Sequence, residues 1–252
     1  MVMKCLHILP RGWIALHIKN KDSIMDEQKD YIGHRQRIKE RFLRGQGKDM
    51  ADYEFLELLL TFAIPRKDTK PLAKALINEF GSFAAVIGAD DNMLMRFSGL
   101  KENTVMLLSI IREAALRMTW QNLCASDKPV ISNWDAMVDF CRMKLAHKKR
   151  EEFMLILLDA KLQVIGEEVQ QRGTVDNVAI HPAEVVKSAV FNSAKSVIMV
   201  HNHPSGNVTP SKADILITKQ INTALQSVNI KLQDHLIIGK NECFSFRSEG
   251  LI

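Results

Sequence analysis

The stretch from Val197 to Asp214, VIMVHNHPSGNVTPSKAD, decides how this chain is read. Ser196 to Val200 has the length and β-branched content of a strand, and it ends abruptly in His201-Asn202-His203. Residues two apart in an extended chain project to the same side, so His201 and His203 can offer imidazole nitrogens to one ion while Asn202 points away. Pro204 and Gly206 then force a turn, and Pro210-Ser211 opens a helix that continues through Ile215, Leu216, Lys219 and Ile221, with Asp214 in its first turn. Two histidines and one carboxylate make three protein ligands. They leave the fourth position of a tetrahedral zinc ion open, which is the catalytic pattern rather than the closed structural one. Such a metal acidifies water toward a pKa of about 7 and polarises a carbonyl. Ser211 and Asp214 also read as a helix-capping pair, so a purely structural role competes with the metal role at those two positions.

Outward from that stretch, the second half of the chain alternates helix and strand. A helix over about Trp134 to His147 precedes two strand-like runs, FMLILLDA and KLQVIGEEV, which join near Asp159 to Lys161 as a hairpin. His181-Pro182 starts another helix, the metal strand and its helix follow, and NIKLQDHLIIG and ECFSFR close the chain as strands. The pattern predicts an α/β sandwich around a mixed sheet over residues 131–252. Gln121 to Val130, QNLCASDKPV, breaks the periodicity and reads as a linker over 121–130.

The first half reads as all-helical over residues 25–120. Arg35, Arg37, Lys39, Arg41 and Arg44 surround a short helix and form the densest basic cluster, a candidate phosphate surface or simply a solvated face. Asp52 reads as the N-cap of DYEFLELLLTFAI, with Phe55, Leu58, Leu59 and Phe62 inward, and a helix over Pro71 to Phe80 stops at Gly81. A long helix follows from about Glu102 to Trp120. Residues 1–24 are weakly apolar and broken by Pro10, Arg11 and Gly12; they read as a tail or a translation-start artefact rather than a signal peptide.

The order His-x-His-Pro, six residues, Ser, two residues, Asp resembles the JAMM (MPN+) metalloprotease signature, and the surrounding HNHPSG, PS and D resemble the RadC family in particular. That resemblance implies a deaminase-like α/β layout for the C-terminal domain, one zinc ion per chain on His201, His203 and Asp214, and hydrolysis of a peptide or isopeptide bond. It also implies a glutamate just ahead of an early strand as general base. Arg150-Glu151-Glu152-Phe153 stands at that place, and the family pattern favours Glu151, although parity alone leaves Glu152 open. Ser211 would support the tetrahedral oxyanion by hydrogen bonding. Glu167, Glu168 and Glu184 are weaker candidates for the base, and His235 reads as a core or supporting residue rather than a ligand.

RadC-like chains carry a helical region ahead of this domain, and Phe97-Ser-Gly99-Leu-Lys101 resembles the turn of a helix-hairpin-helix module. Arg35, Arg37, Arg41, Gly99 and Lys101 are therefore the candidate DNA contacts. A DNA-repair-associated binding factor and a metal-dependent nuclease stand as the alternatives to the hydrolase.

Composition fits this outline. The 252 residues are 46% hydrophobic with a net charge of +5, enough chain for two modest domains and a mild basic excess that permits contact with nucleic acid. Cys5, Cys124, Cys141 and Cys243 form no Cys-x-x-Cys pair, which fits a reducing cytoplasm better than a disulfide scaffold. No apolar run reaches the roughly 18 to 20 residues of a membrane span, so a membrane partner is not expected.

Overall fold

Two strands without a single exposed residue lie at the centre of the C-terminal sheet: β1 (Glu152–Leu158) and β3 (Ser196–Asn202). Their near-continuous apolar sequences, FMLILL and VIMV, suit strands covered on both faces. The remaining strands are β2 (Val164–Arg172), β4 (Lys231–Ile238) and the short β5 (Cys243–Ser245), and the sheet order is β2-β1-β3-β4-β5. β3 runs parallel to β4, while the other neighbouring pairs are antiparallel. The sheet is therefore mixed, as the alternation predicts. The structure is a computed structural model, and it describes residues 33–126, 128–172, 180–240 and 242–252. The expected tail over 1–24 and residue 127 of the expected linker lie outside the described residues.

Helices cover both faces of the sheet. α6 (Glu102–Cys124) and α7 (Trp134–Leu145) lie on one, where Met137, Phe140 and Leu145 meet Met154, Ile156, Ile198, Val200 and Leu236. α8 (Pro182–Phe191) and α9 (Lys212–Gln226) lie on the other, where Val185, Ala189, Ile221 and Leu225 meet Phe153, Leu155, Val197 and Met199. Alternation along β1 and β3 sends successive side chains into these two cores. At roughly 25 cal/mol per Å² of apolar surface, their burial is the main force holding the domain together.

Contacts divide the chain into two units, one ending at Phe83 and the second running from Ala84 to Ile252. The first contains α1 (residues 33–45), α2 (Asp52–Ala63) and α3 (Lys70–Phe80). α4 (Phe83–Gly88) spans the division, and α5 (Asp91–Arg96) and α6 belong to the second unit. α6 runs through Trp120 to Cys124, so the stretch read as a linker begins as helix.

Two local readings in the first unit are corrected. Ala51, not Asp52, is the N-cap of α2; its amide donates to the Glu54 carboxylate at 3.0 Å, while the Asp52 carboxylate accepts from the amide of Phe83 at 3.2 Å. The buried face of α2 is also turned from the one expected, although Leu58 is buried as read. Leu56 and Leu60 are fully buried, whereas Phe62 is 69% exposed. Glu57 and Thr61, which hydrophobic periodicity assigns to the solvent side, lie on the buried face. Glu57 helps to fix it: this buried carboxylate bonds His34 Nε2 at 2.7 Å, and burial raises its pKa although His34 opposes the rise.

Candidate metal centre

β3 carries His201 on the α8/α9 face, in step with Val197 and Met199, and then ends. The chain turns at Gly206, whose φ of 86° places it in the left-handed region. This turn is held against the end of β4: the His203 amide donates to Ile238 O at 3.1 Å, and a Cβ on Gly239 would come within 2.7 Å of Gly206 O. α9 then starts with a reciprocal cap. Ser211 Oγ accepts from the Asp214 amide at 3.1 Å, and Asp214 Oδ2 accepts from the Ser211 amide at 2.7 Å.

The result is a cluster. His201 Nε2 and His203 Nε2 lie 3.0 Å apart, His201 Nε2 is 3.4 Å from Asp214 Oδ1, and His203 Nε2 is 3.5 Å from Asp214 Oδ2. A tetrahedral zinc with ligands at roughly 2.0–2.1 Å requires ligand-to-ligand edges of about 3.3 Å. The three groups match that size, and they form the one group of metal-ligating side chains so placed among the described residues. The capping and metal readings of Asp214 are thus compatible, because one carboxylate serves both geometries.

Hydrogen bonding fixes which nitrogens face the cluster. Thr218 Oγ1 donates its only proton to the carbonyl of Asp214 at 2.5 Å, so at 2.6 Å it must accept from His235 Nδ1–H. His235 is fully buried, and burial holds its pKa well below the ordinary value, so the ring is neutral and its Nε2 is an acceptor. His201 Nδ1–H therefore donates to His235 Nε2 at 2.8 Å, which leaves a lone pair on His201 Nε2. Likewise His203 Nδ1–H donates to Asn207 O at 2.7 Å and leaves its lone pair on Nε2. Both lone pairs face the Asp214 carboxylate. Three electron-rich groups at these separations repel one another unless a cation or a proton lies among them.

The charge states reflect the same cluster, where a proton on His203 Nε2 can take the place of a cation beside Asp214. Burial pushes the pKa of His201 down to about 4, the Asp214 charge opposing, so the ring is neutral at neutral pH. Burial works against ionisation of Asp214, yet the hydrogen bond from His203, the charge that His201 carries when protonated and the bonds at Ser211 together hold its carboxyl well below the usual range. His203 shifts upward, first through its hydrogen bond to Asp214, with burial opposing and the charge of Glu151 adding to the rise.

That influence of Glu151 on His203 bears on which glutamate faces the site. Phe153 pairs with His201 across β1 and β3 and shares its face, so the residue two earlier, Glu151, continues toward the same face. Glu152 falls on the opposite side, with Oε1 3.8 Å from Lys148 Nζ and its amide bonded to Asn202. Of the weaker candidates, Glu167 and Glu168 of β2 are paired with Lys144 and with Ser188 of α8, while Glu184 lies in the first turn of α8 near Lys187. Ser211 caps α9 as an acceptor, which leaves its hydroxyl proton for another partner.

Each residue read as a DNA contact has a local setting of its own. Arg35 reaches the carbonyls of Thr61, Ile64 and Lys67 at the end of α2, and Arg41 binds Glu54 and the carbonyl of Asp49. Arg37 is exposed on α1, Gly99 takes a φ of 94° in the turn between α5 and α6, and Lys101 is the N-cap of α6. Sequence reasoning missed Thr218 altogether and gave Asn202 no role. A buried polar residue on an otherwise apolar face, such as Thr218 within ILITKQI, is the available signal.

The RadC-like JAB domain family model matches residues 131–251. The chain is also 46% identical over 215 residues to a UPF0758 protein from Rhodobacter capsulatus, an alignment that covers 85% of this chain and 100% of that relative.

Proposed function

Because this chain belongs to the RadC family, we propose that it is a zinc-dependent hydrolase that cleaves a peptide or isopeptide bond, with His201, His203 and Asp214 as ligands and Glu151 as the proton-transfer group. The observation that carries this reading is the pair of imidazole Nε2 atoms 3.0 Å apart, each within 3.5 Å of one carboxylate. His201 Nε2, His203 Nε2 and one oxygen of Asp214 would hold the ion. When bound, the ion supplies Lewis acidity, lowering the pKa of water toward about 7 and polarising a carbonyl.

The chain's own groups account for the rest. The carboxylate of Glu151 takes a proton from the attacking water and returns it to the leaving amine, a transfer that requires it on the ligand face and within hydrogen-bond reach of that water. Ser211, with its hydroxyl proton uncommitted to the α9 cap, donates to the developing oxyanion. The His235–Thr218 chain holds His201 in the one tautomer that ligates. Asp214, whose ionised form is strongly favoured, stays anionic throughout.

The test is cleavage by the zinc-loaded chain of a mixed peptide and isopeptide library, beside labelled single-stranded and duplex DNA. Chelator-sensitive peptide cleavage that His203→Ala and Glu151→Gln both abolish is the expected result. Chelator-sensitive cleavage of DNA with no peptide product would replace this reading with a nuclease. Metal-independent DNA binding that weakens steeply with salt, without any cleavage, would favour the binding factor.

A further inference from the structure

Asn202, the residue between the two ligand histidines, is 1% exposed, and its side chain does not face them. Its Oδ1 accepts from the Glu152 amide at 2.8 Å, while its Nδ2 donates to Arg150 O at 3.1 Å and Lys148 O at 3.4 Å. These three main-chain groups flank Glu151 on both sides. Backbone pairing of β1 with β3 ends at Phe153 and His201, so the side-chain amide of Asn202 continues the ladder where the strands have stopped. Only an amide can do this, because the place requires one acceptor and two donors on a single short side chain. The segment it holds is the irregular connection from the end of α7 to the start of β1, which makes no ladder of its own before Glu152.

The geometry points to Asn202 as a positioning residue for the proposed hydrolysis: its side-chain amide locks the 148–152 main chain to the end of β3 and so sets where the Glu151 carboxylate stands relative to His201, His203 and Asp214. This rests on the assignment of Glu151 above. One strand end then supplies two ligands directly and the base at second hand, so ligands and base move as one body. A misplacement of about 1 Å in a reacting group can cost on the order of a hundredfold in rate, which is the scale on which such a lock matters.

The experiment uses the full chain loaded with cobalt, a paramagnetic substitute for zinc, with carboxyl-labelled glutamate, and compares wild type with Asn202→Ala and with Asn202→Asp. Asn202→Asp keeps the volume and the acceptor should the smaller side chain prevent folding. The metal-induced shift of the Glu151 carboxyl carbon, identified by its loss in Glu151→Gln, is expected to change strongly in either variant, while that of the Thr218 methyl persists and zinc affinity stays within about threefold. With zinc and a cleaved peptide, kcat is expected to fall about a hundredfold with little change in KM, and in a Glu151→Gln background the Asn202 substitution should cost nothing further. An unchanged Glu151 shift, or losses that multiply in the double variant, would overturn the inference. If Glu151→Gln alone leaves kcat intact, the assignment of the base fails, whereas the Glu151 shift still decides whether Asn202 holds the segment.

Discussion

His235→Phe isolates the proton chain behind His201. His235 is fully buried and stacks on Phe246 with ring centroids 4.6 Å apart and planes within 22°, so phenylalanine can fill the same space. The substitution deletes one acceptor, His235 Nε2, from a bond of 2.8 Å, and leaves His201 Nδ1–H buried without it. An unsatisfied buried donor costs about 1–3 kcal/mol. Once its proton has no fixed partner, His201 can also move it to Nε2, the ligating atom. Loss of such a supporting bond typically weakens metal binding about 10- to 100-fold, and about 1.4–2.7 kcal/mol corresponds to that range. The assay is competition for zinc against a chromophoric chelator at pH 7.5, beside the thermal midpoint of the metal-free chain. Thr218→Val, one bond further from the metal, should show the same effect at smaller size. A zinc Kd in His235→Phe within threefold of wild type would refute the reasoning.

Acid should displace the metal in two stages. His203 has a pKa above its ordinary value and must lose a proton to ligate, so affinity is constant above that pKa and falls roughly tenfold per pH unit below it; near pH 4, where His201 also protonates, the slope steepens. Zinc competition across pH 5 to 8.5 reads the first stage, and a flat profile would contradict it. Asp214→Ala removes both the ligand and half of the α9 cap, so besides losing zinc the metal-free chain should lose about 1 kcal/mol of stability, roughly 2–4 °C in Tm. An unchanged Tm would show that the cap contributes nothing. Gly239→Ala drives a methyl against Gly206 O and Val208, and should destabilise by about 1–3 kcal/mol and weaken zinc by displacing His203; unaltered melting and affinity would contradict that packing.

The parts of this molecule legible in its sequence are those governed by local chemistry. His201, Asn202 and His203 at the end of an apolar run, a turn at Gly206 and a capping pair at Ser211 and Asp214 are short-range patterns, and each forms as read. Long-range register was out of reach. Which of Glu151 and Glu152 turns toward the histidines depends on Phe153 pairing with His201, a match between residues far apart in the chain. The same holds for His235, brought to His201 by the parallel pairing of β3 with β4, and for Asn202, whose three partners lie 50 to 54 residues earlier. On α2 the obstacle differs. Glu57 and Thr61 lie on its buried face, and Glu57 meets His34 there, a contact between two helices that no single-helix periodicity encodes.

The central claim is that His201, His203 and Asp214 hold one catalytic zinc ion, and its most direct test is elemental analysis of the full chain after zinc loading and exhaustive dialysis. Wild type and Glu151→Gln should retain one zinc per chain, whereas His203→Ala and Asp214→Ala should retain none. A full equivalent of zinc in either ligand variant, or none in wild type, would contradict the account.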